Sequence, residues 1–158
     1  FIEPSDTIRH LGVKLKHNAN RILVKGKRVI LIDDSIVRGT TSVKIVQMMR
    51  DAGAAEVHMR VGAPPITHPD FYGIDTPEQK QLLAANHSLD EMCAYIGADS
   101  LAFLSVDGLY KAMGHPKGRN PLHPAYTDHC FTGDYPTQLR DKKNDGHLRQ
   151  LSLLSEPD

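Results

Sequence analysis

Residues 28–42 read RVILIDDSIVRGTTS: an apolar run ends on two adjacent acids, then an arginine, a glycine and a series of hydroxyls. An apolar stretch without alternation predicts a strand over 28–33 covered on both faces, as in a parallel sheet. Asp33-Asp34 is a poor turn, and paired carboxylates repel unless a cation or hydroxyl donors occupy the site. Thr40 or Thr41 is the expected cap of a helix running to about Ala52, with Ile45, Val46, Met49 and Ala52 as its apolar stripe and Gly53 as its stop. Ligands of open parallel sheets bind beyond the carboxyl ends of the strands. A helix start at that place favours phosphate through its N–H groups and dipole. Gly39 permits close backbone approach, and Ser35, Thr40, Thr41 and Ser42 supply hydroxyl donors. Asp33 and Asp34 suit vicinal hydroxyls or a hard cation such as Mg²⁺. A phosphorylated ribose diphosphate carries all of these groups.

The rest of the chain places this motif in an α/β frame. Val57-His58-Met59-Arg60-Val61 alternates and predicts a half-exposed strand, so 28–61 reads as a βαβ unit with parallel strands. Thr76-Pro77-Glu78-Gln79 and Ser88-Leu89-Asp90-Glu91 both have the form of a capping box, the second opening a helix that stops at Gly97. A buried strand over 100–105 and a short helix over 106–113 follow. The fold class is an open parallel sheet with flanking helices. Three strands make it thin, and the chain opens on Phe1 rather than Met, so part of the domain is expected to lie outside it. Residues 1–114 form the sheet-bearing unit, beginning with a flexible basic loop over 1–21. From His115 the sequence turns rich in His, Pro and Asn, predicting a surface arm over 115–158 with a disordered end.

Composition narrows the class. With 158 residues, and Lys+Arg matching Asp+Glu at 19 each, the chain reads as a globular domain with no charge signature of a nucleic-acid binder. No apolar stretch is long enough to span a bilayer. Two cysteines, Cys93 and Cys130, make no disulfide framework, which points to the cytoplasm. The balance is uneven locally: through Arg28 there are seven basic residues, Lys14 and Lys16 among them, against Glu3 and Asp6. A solvated basic face explains this as well as a polyanion site does.

The stretch Val29–Thr41 resembles the phosphoribosylpyrophosphate (PRPP) signature of type I phosphoribosyltransferases at every position. Phe1-Ile2-Glu3-Pro4, Val13-Lys14-Leu15-Lys16, Asn18-Ala19-Asn20-Arg21, Pro64-Pro65-Ile66, Phe71-Tyr72-Gly73-Ile74-Asp75, Ile96-Gly97-Ala98-Asp99-Ser100-Leu101 and Cys130-Phe131-Thr132-Gly133-Asp134-Tyr135-Pro136 are similar to the glutamine PRPP amidotransferases. The likeness extends from Phe1 to about Pro136. No Walker A loop or dinucleotide fingerprint competes with it.

The resemblance implies transfer of glutamine-derived ammonia to PRPP, giving phosphoribosylamine, at the start of purine synthesis. Asp33 and Asp34 would hold the ribose hydroxyls and position Mg²⁺. Ser35, Ile36, Val37, Arg38, Gly39, Thr40, Thr41 and Ser42 would wrap the 5′-phosphate. Lys16 matches a flexible-loop lysine that reaches the pyrophosphate, and Asp75 an acid on the ammonia-acceptor side. A homo-oligomer inhibited by purine nucleotides is also implied for the full enzyme. Two departures follow. The glutaminase domain with its cysteine nucleophile is absent, so the chain alone is expected to be inactive. Some members carry an iron–sulfur cluster on four cysteines; here Asp70, Pro124 and Thr127 stand where ligands would fall, and no cluster is expected. His115, His123 and His129 beside Cys130 offer zinc donors, though at no standard spacing. Alternatives are a salvage or pyrimidine phosphoribosyltransferase, or a PRPP-sensing regulator of the same fold.

Overall fold

The computed structural model describes residues 19–137. Helix α1 (Arg21–Val24) is a single turn capped by Asn20, whose side-chain oxygen accepts from the Ile22 and Leu23 amides. Then follow β1 (Arg28–Asp33), α2 (Thr40–Asp51) and β2 (Glu56–Val61), the strand–helix–strand unit read from the sequence. After a long loop come a 3₁₀ turn (Gln79–Gln81), α3 (Leu83–Asn86), α4 (Leu89–Ile96), β3 (Ser100–Phe103), α5 (Val106–Ala112) and α6 (His129–Thr132). The three strands lie in the order β1-β2-β3, all parallel, with Asp33 opposite Val61 and Val61 opposite Phe103.

The core lies on one face of this sheet. Met59 and Val61 from β2 and Leu101 from β3 meet Met92 and Ile96 from α4, with Ile36 joining from the loop after β1 and Leu83 from α3. The alternation in β2 sends His58 and Arg60 to the other face. There His58 bonds Ser100 Oγ and Glu56 Oε2, each at 2.8 Å, and Arg60 donates to Ser100 Oγ at 3.0 Å. The expectation that β1 is covered on both faces fails among the described residues: Ile30 is 64% and Ile32 82% exposed. β1 is an edge of the described sheet, and the helices pack against its Leu31 side.

Local signals were answered unevenly. Ser88 and Glu91 form the expected capping box, and α4 stops at Gly97 with φ +74°. The box at Thr76 does not form. Its hydroxyl accepts instead from the Asp70 amide at 2.6 Å, and the Gln79 side chain donates to the Thr67 carbonyl at 3.1 Å, so only a 3₁₀ turn follows. The N-cap position of α2 is Gly39, at φ +77° and with no side-chain cap, rather than Thr40 or Thr41. Its buried residues are Ser42 and Val46, while Ile45 and Met49 are half-buried.

The segment after Gly114 is tied to the body. Arg119 donates to both oxygens of Asp128 (2.6 and 3.1 Å), and Tyr110 donates to the same carboxylate at 2.7 Å. The Thr67 and His68 amides donate to the Cys130 carbonyl at 2.9 and 3.1 Å. Residues 1–18, most of the expected basic loop, and residues 138–158 lie outside the described residues.

Candidate functional site

The end of β1 is shaped by its own acids. The Asp34 amide donates to Asp33 Oδ1 at 3.0 Å, and the Ser35 amide to Asp34 Oδ1 at 2.8 Å. Each carboxylate thus accepts the amide of the residue that follows it, at the bend where the strand ends. The Gly62 amide donates to the Asp33 carbonyl at 2.9 Å, continuing the pairing with β2 past the strand end. Asp33 is half-buried and Asp34 exposed, so the acids sit at the sheet's carboxyl edge within reach of solvent.

From there the loop crosses into α2. Ile36 turns into the core, 2% exposed, and anchors the loop by burial rather than by offering a ligand atom. The Val37 carbonyl accepts from the Leu83 amide at 2.8 Å, and Arg38 donates to Gln81 Oε1 at 3.3 Å. Gly39 is buried at φ +77°, a conformation that strains any residue with a Cβ. The first-turn amides of Thr40, Thr41 and Ser42 have no acceptor within the helix by α-helical geometry. Thr40 and Thr41 are half-buried, whereas the Ser42 side chain is buried. The structure therefore brings Asp33, Asp34, Ser35 and the start of α2 together in one continuous turn. Asp75 is exposed on the separate loop between β2 and the 3₁₀ turn, and Lys16 lies outside the described residues.

The sequence pattern did not bring together a buried cluster whose members it had noted separately. His129 Nε2 lies 2.6 Å from Asp70 Oδ1, and one ligand atom from each of Asp70, His129 and Cys130 falls within 4.8 Å of the others. Asp70 Oδ2 accepts the Tyr72 and Ile74 amides at 2.8 and 2.7 Å. Burial opposes the Asp70 charge, but those amides and His129 together hold its carboxyl below the usual range. Burial pushes the Cys130 thiol up, with Asp70 adding to the effect. Asp70 and His129 are closed on each other as a hydrogen-bonded pair, with a neutral thiol beside them. His129 Nδ1 has no hydrogen-bond partner among the described residues. His115, by contrast, bonds the Tyr126 hydroxyl at 3.2 Å, so the histidines weighed as zinc donors do not act as one set. The sequence had marked His129 and Cys130 as possible donors and Asp70 in His-Pro-Asp-Phe-Tyr-Gly, but nothing along the chain joined the three.

Relatives decide the family. Over 156 residues the chain is 61% identical to an amidophosphoribosyltransferase of Rhizobium etli, and over 153 residues 48% identical to that of Bacillus subtilis. The chain belongs to the amidophosphoribosyltransferase family. A chloroplastic amidophosphoribosyltransferase of Arabidopsis thaliana is 49% identical over 157 residues. The chain spans about a third of the length of these curated amidophosphoribosyltransferases, 31% and 32% of the two bacterial ones. Among solved structures, it matches a glutamine PRPP amidotransferase of B. subtilis complexed with ADP and GMP. That match has a TM-score of 0.73 at 50% identity, covering 94% of this chain and 31% of that one. A structure described as the allosteric regulatory enzyme of purine biosynthesis matches with TM-score 0.67 at 52% identity, over 87% of this chain and 29% of that one. The three parallel strands and their helices are thus part of the type I phosphoribosyltransferase fold of the amidophosphoribosyltransferases. No protein-family model matches the chain. No described helix is long and apolar enough to cross a membrane.

Proposed function

We propose that this chain is the PRPP-binding part of an amidophosphoribosyltransferase acting in the cytoplasm at the entry to purine synthesis. The observation that carries the proposal is the turn from β1 into α2. Two carboxylates at the strand end are followed within five residues by a positive-φ glycine that opens a helix flanked by hydroxyls. Asp33 and Asp34 take the ribose 2′- and 3′-hydroxyls. Ser35, Ile36, Val37, Arg38, Gly39, Thr40, Thr41 and Ser42 enclose the 5′-phosphate, with Ile36 and Ser42 contributing backbone amides because their side chains are buried. Mg²⁺ suits this donor set, since that ion binds through one or two carboxylates together with substrate phosphates. Asp33 and Asp34 would hold it, and when bound it would offset charge on the departing pyrophosphate.

In the reaction the nitrogen lone pair of ammonia forms a bond to ribose C1 as the C1–oxygen bond to pyrophosphate breaks. The electron pair leaves with pyrophosphate, and Lys16 meets that charge. Positive charge gathers on the ribose ring, where the carboxylates of Asp33 and Asp34 stabilise it. Neutral ammonia needs no strong base to attack, and Asp75 lies on the acceptor side. Glutamine supplies the ammonia in the full-length enzyme, a homo-oligomer under purine-nucleotide feedback. Other type I phosphoribosyltransferases and PRPP-sensing regulators share the central motif. High identity to amidophosphoribosyltransferases across nearly the whole chain favours the amidotransferase over both.

The test is PRPP titration in Mg²⁺ with the protein at the full length of its relatives, beside Asp33→Asn. Loss of a charged hydrogen bond predicts weaker binding by about 1.5–3 kcal/mol. Unchanged affinity would refute the role given to Asp33.

A further inference from the structure

A phosphate loop that opens a helix must keep its shape before the ligand arrives, and here the means of doing so lie far away in sequence. Three successive loop residues meet a single distant segment. The Val37 carbonyl accepts from the Leu83 amide at 2.8 Å, and Arg38 donates to Gln81 Oε1 at 3.3 Å. A Cβ on Gly39 would lie 2.7 Å from Leu83 Cδ2 and 3.1 Å from Tyr95 Cε1, so those two side chains form the wall on which Gly39 closes. Leu83 is buried in the same core cluster as Ile36, the loop's own anchor. Tyr95, on α4, is half exposed and stacks on His87, with ring centroids 6.5 Å apart and planes 9° from parallel.

None of Gln81, Leu83 and Tyr95 is an acid, a cation or part of the motif, yet together they back the loop at its one positive-φ residue. Glycine enters both halves of backbone space at similar cost, so the φ of +77° at Gly39 needs an external restraint. If that joint is free, the first-turn amides of α2 turn away from the phosphate, and binding must supply the ordering.

We propose that Leu83 and Tyr95 are positioning residues for the 5′-phosphate: they hold Gly39 closed, and Gln81 fixes Arg38 beside it. The assignment rests on the loop being the PRPP site, and the experiment separates the two claims. Steady-state kinetics are measured on the full-length enzyme with ammonia as nitrogen donor and PRPP varied. Leu83→Ala is expected to raise the PRPP KM about tenfold and Tyr95→Ala about threefold, with the KM for ammonia unchanged. Tyr95→Phe keeps the ring and should behave as the parent. Val57→Ala, equally buried but at the far end of β2, should leave the PRPP KM where it was. Tyr95 is exposed enough for its truncation to fold, so Tyr95→Ala decides the matter if Leu83→Ala does not yield folded protein. An unchanged PRPP KM in the Leu83 and Tyr95 truncations, while Asp33→Asn still raises it, overturns this proposal alone. So does an equal rise in Val57→Ala. No change in any of them, Asp33→Asn included, overturns the PRPP site itself.

Discussion

Asp128 keeps a carboxylate almost out of water, and three side chains answer it: Arg119, Tyr110 and Thr132. Burial works to raise its pKa, but the hydrogen bonds from Arg119, Tyr110 and Thr132 prevail and hold it below the ordinary 3.8. A carboxylate depressed on folding stabilises the folded state fully above its ordinary value. That stability is lost as pH falls through the folded value. Asp70, also depressed, acts in the same direction, so the tie between residues 115–137 and the body should open in acid below about 3.8 and not near neutrality. Arg119→Ala would strand the Asp128 charge, and breaking a buried pair costs about 3–5 kcal/mol. Amide exchange at residues 128–134 should rise accordingly. Exchange no faster than in the parent would show that Arg119 does not hold Asp128 in place. Neither anchor was legible beforehand, because Arg119 and Asp128 are nine residues apart in irregular chain and Asp70 and His129 are 59 apart.

Two four-residue strings with the same helix-start grammar behave differently, and their neighbours explain why. Among the described residues nothing competes for Ser88, so its hydroxyl accepts the Glu91 amide while Glu91 accepts the Ser88 amide at 2.7 Å. Thr76 is taken by the Asp70 amide, and the Gln79 side chain by the Thr67 carbonyl at 3.1 Å. Ser88→Ala should therefore destabilise α4 by about 1 kcal/mol, seen as faster exchange of the amides over 89–92. No change there would mean that packing of Met92 and Ile96 alone holds the helix start. The helix behind the acids shows a similar shift. A threonine cap was expected, but a glycine at positive φ opens α2, which leaves the first-turn amides turned to the loop rather than occupied by a side chain.

At the scale of the whole molecule, the parallel pairing of β1, β2 and β3 puts the carboxyl ends of the described strands on one edge, which carries the two acids and the loop into α2. Neither cysteine is placed for nucleophilic work. Burial raises the Cys93 thiol, helped by Asp90 and Asp99, and burial with Asp70 raises Cys130; an attacking thiol needs the opposite shift. The purified 158-residue chain is accordingly expected to release no ammonia from glutamine in a coupled assay. Glutamine hydrolysis that Cys93→Ser or Cys130→Ser abolished would overturn that expectation.

The sequence by itself determined the strand–acid–helix unit, the parallel α/β class and the Ser88 helix start. Each of these is written in contiguous residues whose backbone preferences and burial periods agree. Only tertiary structure decided that Ile36 and Ser42 turn inward, that Leu83 and Tyr95 back Gly39, and that Asp70 closes on His129. Those outcomes depend on which distant side chain reaches a hydroxyl, an amide or an open face first. Such a competition for hydrogen bonds and volume has no signature along the chain.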